Sequence, residues 1–456
     1  MIRRWIHVVL LVAATGSLQG CAAIRELFRD PRDAVSPIAR PDRIYEALVE
    51  NYVELCAVSQ YRPRDGTILE GAVGGSPGHA VMYLKGACRD ESAPYPRLRP
   101  CRFSALDRSD PEHGAGVSVN RLFKNVNWVA TPGKLLFFDG ELSSYELLDE
   151  ARFHATAERA IELEMYRGVE LHPFDGEKEP PDLRRFVEFE SLGTDFALRF
   201  GRTVFCTRLP MPDEMMTRTM DFLNALNEEY WSGKAEYNWS GYSDNCVHTL
   251  HNALAAAGVW KPKSIQGTKL RQFFNLAVPA NTFVDLAYLS NQFPIEDFDK
   301  VRRDRLHWQG LTEDGWVPAA PGALVKMLPV HQVNALYDTK YRMFVLGGLF
   351  KNDARKRAQH LLTDGRYLQL DANLRYFFER YQQILAERDE TSWRDSWRSD
   401  QYHQEREAYY AYIERQRDGV IDTLRRLERL DKVREEILQG AISEWEVRAP
   451  EALRGP

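Results

Sequence analysis

The chain has 456 residues, 44% of them hydrophobic, with 60 Lys and Arg against 66 Asp and Glu and a formal net charge of −6. That length and apolar content support a buried core in two or three domains, and the acidic balance argues against nucleic acid as a partner. Beyond the N-terminal segment no stretch approaches the roughly 18 uninterrupted apolar residues of a membrane-spanning helix.

The first residues, "MIRRWIHVVLLVAATGSLQGC", set two arginines before an apolar run of about a dozen residues that ends in small side chains. Residues 1–20 therefore read as a signal peptide. Leu18-Gln19-Gly20-Cys21 resembles the bacterial lipobox, which implies that Cys21 receives a lipid and becomes the first residue of the mature chain. Ala22 and Ala23, where an Asp would imply retention at the inner membrane, imply an outer-membrane anchor with the protein facing the periplasm. Residues 22–40, with two prolines and mixed charge, read as a tether.

Folding is expected to start at Pro41, a first-turn proline for a helix over "PDRIYEALVENYVELCAV" with Ile44, Leu48 and Leu55 on its inner side. "GAVGGSPGHAVMYLKGAC" runs from a glycine-rich turn into a strand over Gly78 to Lys85, and "AGVSVN", "KLLFFDG" and "RTVFCTRL" predict further strands. "SSYELLDEARFHATAERAIELEMYRG" predicts a serine-capped helix. A second helix is predicted over "PDEMMTRTMDFLNALNEEYWSG", with Met216, Met220, Leu223 and Leu226 at threes and fours. Strands and helices interleave without regular alternation, which predicts an α+β domain over 41–340 with an antiparallel sheet. After about residue 340 the strand signals stop. "NDARKRAQHLLTDG", "DANLRYFFERYQQILAER" and the stretch from Ser399 to Glu446 predict an all-helical region over 341–456. Val420, Leu424, Leu427, Leu430 and Val433 mark one apolar stripe in it, and its mixed-charge faces specify no particular protein partner.

Six cysteines punctuate the chain: Cys21, Cys56, Cys88, Cys101, Cys206 and Cys246. With Cys21 lipidated, an odd number is left in an oxidising space, which predicts one free thiol. Cys88 with Cys101 closes a short polar loop, Cys56 with Cys206 follows by elimination, and Cys246 is then the thiol left over. Sequence alone leaves the other pairings open.

Cys246 begins the amphipathic stretch "NCVHTLHNALAAAG". At about 100° per residue Cys246, Leu250, Ala253, Leu254 and Ala257 share the inward face, and Gly258 ends the helix. In the first turn the unpaired N–H groups and the helix dipole favour a thiolate and sit where an oxyanion would form. A nucleophile still needs a base. His248 and His251 stand about 200° and 140° around the helix from Cys246, so neither turns back onto its sulfur, and the three diverge too far to hold a metal. They are expected to be solvated or packed on the preceding loop. His79, at the head of a predicted strand after "GGSPG", is the better candidate.

"SPGHAVMYL" followed much later by "YSDNCVHTLHNAL" resembles the circularly permuted papain-like hydrolases, in which the histidine strand precedes the cysteine helix. Within them the likeness is greatest to the Lnb N-terminal periplasmic domain family, with the permuted NlpC-type peptidases and the lecithin:retinol acyltransferase group more distant. The resemblance implies a permuted papain-like core over 41–340, with Cys246 as nucleophile, His79 as general base and Asn245 beside the nucleophile. It implies a third, orienting polar residue, for which Asn120 is the candidate, with Asn127 and Asp139 remaining open. Val247 and His248 depart from the small hydroxyl residues commoner there, and the Cys88–Cys101 loop is an insertion.

The chemistry implied is attack of the Cys246 thiolate on an amide or ester carbonyl, with His79 moving the proton and no cofactor required. A periplasmic anchor brings peptidoglycan peptides, lipoproteins and lipids within reach as substrates. Peptide or amide hydrolysis ranks first, and transfer of an acyl group to lipid or lipoprotein is the variant in which water is not the acceptor. The rival from another class is a non-catalytic lipoprotein that uses a papain-like core as scaffold.

Overall fold

A computed structural model describes residues 41–58, 78–101, 114–133, 150–196, 203–241, 244–261, 278–328, 354–391 and 398–452. Cys21, Asp139 and the predicted strand "KLLFFDG" lie outside the described residues. The fold is α+β, built on an antiparallel sheet, as the sequence predicts.

Six strands form that sheet: β1 (Tyr52–Val58), β2 (His79–Lys85), β5 (Ala115–Val119), β6 (Trp128–Pro132), β7 (Val204–Pro210) and β8 (Leu324–Leu328). Their order is β6-β5-β2-β1-β7-β8, and β3 (Ala87–Arg89) with β4 (Leu98–Pro100) makes a separate hairpin. In chain order α1 (Pro41–Leu48), α2 (Glu150–Glu162), α3 (Asp213–Trp231), α4 (Cys246–Ala256) and α5 (Pro279–Gln292) are helices that interleave with these strands. After the sheet come α6 (Ala354–Thr363), α7 (Leu370–Thr391) and α8 (Asp400–Ala452), in the region where the sequence predicts helices alone. No described helix is long and apolar enough to cross a membrane.

The helix expected from Pro41 to Val58 stops at Leu48, and its second half is β1. Every residue of β1 is buried, because β2 and β7 flank it and side chains pack on both faces. A strand buried on both faces carries no polar-apolar alternation, so its apolar spacing is compatible with a helix as well.

Register places Cys56 opposite Cys206 and Glu54 opposite Arg208. The first pair is a disulfide, and the second is a buried ion pair of 2.9 Å between Glu54 Oε2 and Arg208 Nε. Cys88 and Cys101 form the other disulfide, across the β3–β4 hairpin. Cys246 is the free cysteine among the described residues, so both pairings and the leftover thiol match the cysteine arithmetic.

One apolar core lies between the sheet and the helices α3 and α4. Met216, Met220 and Leu223 of α3, and Leu250, Ala253 and Leu254 of α4, pack there with Met82, Leu84, Val117 and Trp128 of the sheet. Asn227 ties α3 to β6: its Oδ1 accepts from the Asn127 and Trp128 N–H groups at 2.8 and 3.2 Å, and its Nδ2 donates to the Pro96 and Trp128 carbonyls. A buried amide with all four bonds made costs little to bury and pins the helix in register.

The chain groups into two compact units, Val49–Thr423 and Met1–Leu48 with Leu424–Pro456. The sheet and the residues discussed below belong to the first. Within the second, Arg426 on α8 donates to the Ala47 carbonyl of α1 at 3.0 Å.

Candidate active site

Asn245 begins α4 in an extended conformation, and its Oδ1 accepts from the Val247 and His248 N–H groups at 2.9 and 3.2 Å. Its Nδ2 donates back to the Gly241 carbonyl at 3.1 Å. Asn245, expected beside the nucleophile, is thus the N-cap that fixes where the helix starts. Asn245→Ala is expected to cost about 1 kcal/mol, read as a lower urea midpoint with unchanged slope.

Cys246 follows in the first turn with 9% of its surface exposed, and α4 packs its predicted inward face on β2 and β5. The backbone N–H groups of Ala80, Val247 and Cys246 itself favour the thiolate. Burial outweighs them, and the thiol is pushed up to about 11. The helix start alone predicts the opposite direction, because its donors are visible in sequence and the loss of water around the sulfur is not. Cys246 therefore rests as a neutral thiol, and its use as a nucleophile would require a base.

His79 opens β2 directly before Ala80, whose N–H serves the Cys246 sulfur, so the strand brings the histidine to the start of α4. Gly78 ahead of it has φ +109°, and a Cβ there would stand 2.7 Å from the Val58 carbonyl oxygen. Only glycine lets the chain enter the strand this way. His79 Nε2 lies 2.9 Å from Ser118 Oγ on β5.

Ser118 continues the chain of contacts. Its hydroxyl donates to Asp195 Oδ1 at 2.8 Å, with the Thr194 carbonyl at 3.3 Å as a longer alternative. Asn120, predicted as the orienting residue, donates from Nδ2 to Asp195 Oδ2 at 2.7 Å and to Thr194 Oγ1 at 3.0 Å. The hydroxyl at His79 Nε2 is that of Ser118, two residues earlier on the same strand face, and Asn120 holds the far side of the same carboxylate. Asn127, the other candidate, accepts on Oδ1 from Thr249 Oγ1 at 2.8 Å, which ties α4 to the segment entering β6.

Asp195 carries no distinguishing mark in the sequence. It is fully buried at the end of a helical stretch, Leu183–Phe186, π-helical Val187–Ser191 and Leu192–Thr194. A π turn adds a residue to the coil and so redirects the residues after it, and such turns recur at functional sites. Burial holds the Asp195 carboxyl up at about 7, against the hydrogen bonds from Ser118 and Asn120, with Glu190 adding to the rise.

Tyr237 is wholly buried, and its hydroxyl has no hydrogen-bond partner among the described residues. Burial raises its pKa, followed by the nearby charges of Asp244 and Cys246, so the phenol lies within electrostatic reach of the sulfur. Asp244, next to the cap, is raised to about 6 by burial, with Tyr230 as a 3.4 Å donor.

His248 and His251 are both buried, contrary to solvation. His251 stacks on Trp260 at 4.3 Å and reaches the Lys261 carbonyl. The one described group of side chains spaced for a metal is Glu54, Cys56 and Cys206. Its sulfurs are joined to each other and its carboxylate is committed to Arg208, so it is not a donor set for a cation. No protein-family model, curated protein or solved structure matches the chain, so the site is characterised by its own geometry.

Proposed function

We propose that the protein is a lipid-anchored periplasmic thiol hydrolase with a permuted papain-like core, cleaving an amide or peptide bond through Cys246 and His79. The supporting observation is the placement of a free cysteine at the start of a helix packed against the strand that His79 opens, with the His79 Nε2 already engaged by Ser118. With Nε2 turned to Ser118, proton exchange with the thiol falls to Nδ1.

In this reading the Cys246 sulfur attacks the carbonyl as His79 Nδ1 takes its proton, giving a tetrahedral oxyanion. The Cys246 and Val247 N–H groups, which already favour the thiolate, are the donors proposed for that oxygen, with the Tyr237 hydroxyl, whose pKa the sulfur also raises, as a further one. Collapse returns the proton from His79 to the leaving amine, and water then hydrolyses the thioester through the same base. Anchoring through Cys21 at the outer membrane would set peptidoglycan peptides or lipoproteins before the site. An amine or alcohol acceptor in place of water makes the same pair an acyltransferase.

The neutral, buried thiol favours a second reading, a scaffold in which Cys246 only packs. Incubation with p-nitrophenyl acetate separates the two. A hydroxylamine-labile acetyl mapped by mass spectrometry to Cys246, absent from Cys246→Ala, is expected for the enzyme. Acetylation of surface lysines alone would leave the scaffold.

A further inference from the structure

We propose that Asp195, acting through Ser118, sets which ring nitrogen of His79 carries the proton, which makes it a positioning residue of the site. This inference rests on the assignment of His79 as the base for Cys246.

A serine hydroxyl has one hydrogen to give and two lone pairs to receive. Ser118 gives that hydrogen to Asp195 Oδ1 at 2.8 Å, so toward His79 Nε2 at 2.9 Å it can only accept. The hydrogen between them then belongs to Nε2, and Nδ1 keeps the lone pair that a general base needs. The Thr194 carbonyl at 3.3 Å lies beyond the usual O–H···O range and competes weakly.

The carboxylate is itself oriented. Asn120 Oδ1 accepts from the Leu122 N–H at 2.9 Å, so its amide must present Nδ2 to Asp195 Oδ2. Both Asp195 oxygens therefore face donors, and all three side chains are buried. Glu190 and the Tyr166 phenol also bear on Asp195, and they stand on the side of Asp195's own helical stretch and the turn after α2.

This arrangement makes Asp195→Asn informative although it hardly changes volume. An amide at 195 must turn its oxygen to the Asn120 donor and its NH2 to Ser118. Ser118 then accepts from residue 195 and donates to His79 Nε2, which moves the ring hydrogen to Nδ1 and blocks the base. Adding Asn120→Asp reverses the demand, because an acceptor at 120 draws the new NH2 to itself and returns the amide oxygen to Ser118.

The test is 15N-histidine NMR on the full chain at a pH well above 7, where the Asp195 carboxyl is ionised, with the His79 signals identified by their loss in His79→Gln. The expected tautomer is Nε2–H in the wild type, Nδ1–H in Asp195→Asn and Nε2–H again in Asp195→Asn/Asn120→Asp. Alkylation of Cys246 at the same pH should fall at least about 10-fold in the single variant and recover in the double. In a Ser118→Ala background, Asp195→Asn should change neither signal nor rate, which also serves if the single variant melts too low to study. Nε2–H retained in folded Asp195→Asn, or no return in the folded double variant, would overturn the relay. A tautomer that follows residue 195 while Cys246 stays indifferent to His79 would keep the relay and remove the catalytic pair.

Discussion

Replacing His79 with alanine is expected to slow acylation of Cys246 by about 100- to 10,000-fold at neutral pH, the range a positioned general base contributes. Burial makes this dependence strong. A thiol with a pKa well below 7 would be ionised without help, whereas one pushed up to about 11 is neutral at pH 7 and must transfer its proton as it attacks. The backbone donors of Ala80, Val247 and Cys246 remain in the variant, so what is lost is the proton acceptor. Pre-steady-state acylation by an activated ester, compared with the thermal melt of the same variant, separates that loss from unfolding. A rate unchanged within about twofold in a folded variant would contradict the assignment.

Removing the Cys56–Cys206 disulfide by Cys56→Ala/Cys206→Ala is expected to be the largest single loss of stability, about 5 kcal/mol by loop-closure entropy for its separation of 150 residues. The Cys88–Cys101 bridge closes a separation of only 13 and should contribute about 3 kcal/mol on the same basis. The central bridge also joins β1 to β7 in the middle of the sheet, beside the buried Glu54–Arg208 pair. Loosening it would expose two charges whose burial is tolerated only while they are paired. Urea denaturation of the two double variants tests the order, and the reverse order would show that the loop argument fails here.

Local patterns carry much of this architecture. The period-two run at Ala115–Val119, the apolar spacing of α3 and the glycine at 258 after α4 each act through backbone geometry that neighbouring residues determine, and all three are readable from the sequence. The strand β1 is not, since its partners β2 and β7 lie far along the chain and burial on both faces erases its alternation. β8 and α5 are likewise absent from the elements the sequence predicts. Cysteine arithmetic favours the two disulfides and the free Cys246 that the structure contains, whereas His79 is singled out through the resemblance of two short motifs. Ser118 is within reach of the same reasoning, because it shares a strand face with Asn120. Asp195 is not, because nothing in "SLGTDFAL" marks its aspartate as one that folding brings to a serine 77 residues earlier. The raised thiol pKa is equally hidden, since desolvation depends on everything packed around the sulfur.

Everything proposed for the site depends on Cys246 giving its proton to His79. The most direct measurement is the rate of iodoacetamide alkylation at Cys246 across pH, read by peptide mass spectrometry on the wild-type chain beside His79→Ala. Wild-type labelling at neutral pH is expected to be at least about 10-fold faster than that of the variant, whose rate should climb only as the pH approaches 11. Superimposed profiles, or Cys246 recovered in a disulfide, would contradict it and leave the cysteine as a packing residue of a tethered scaffold.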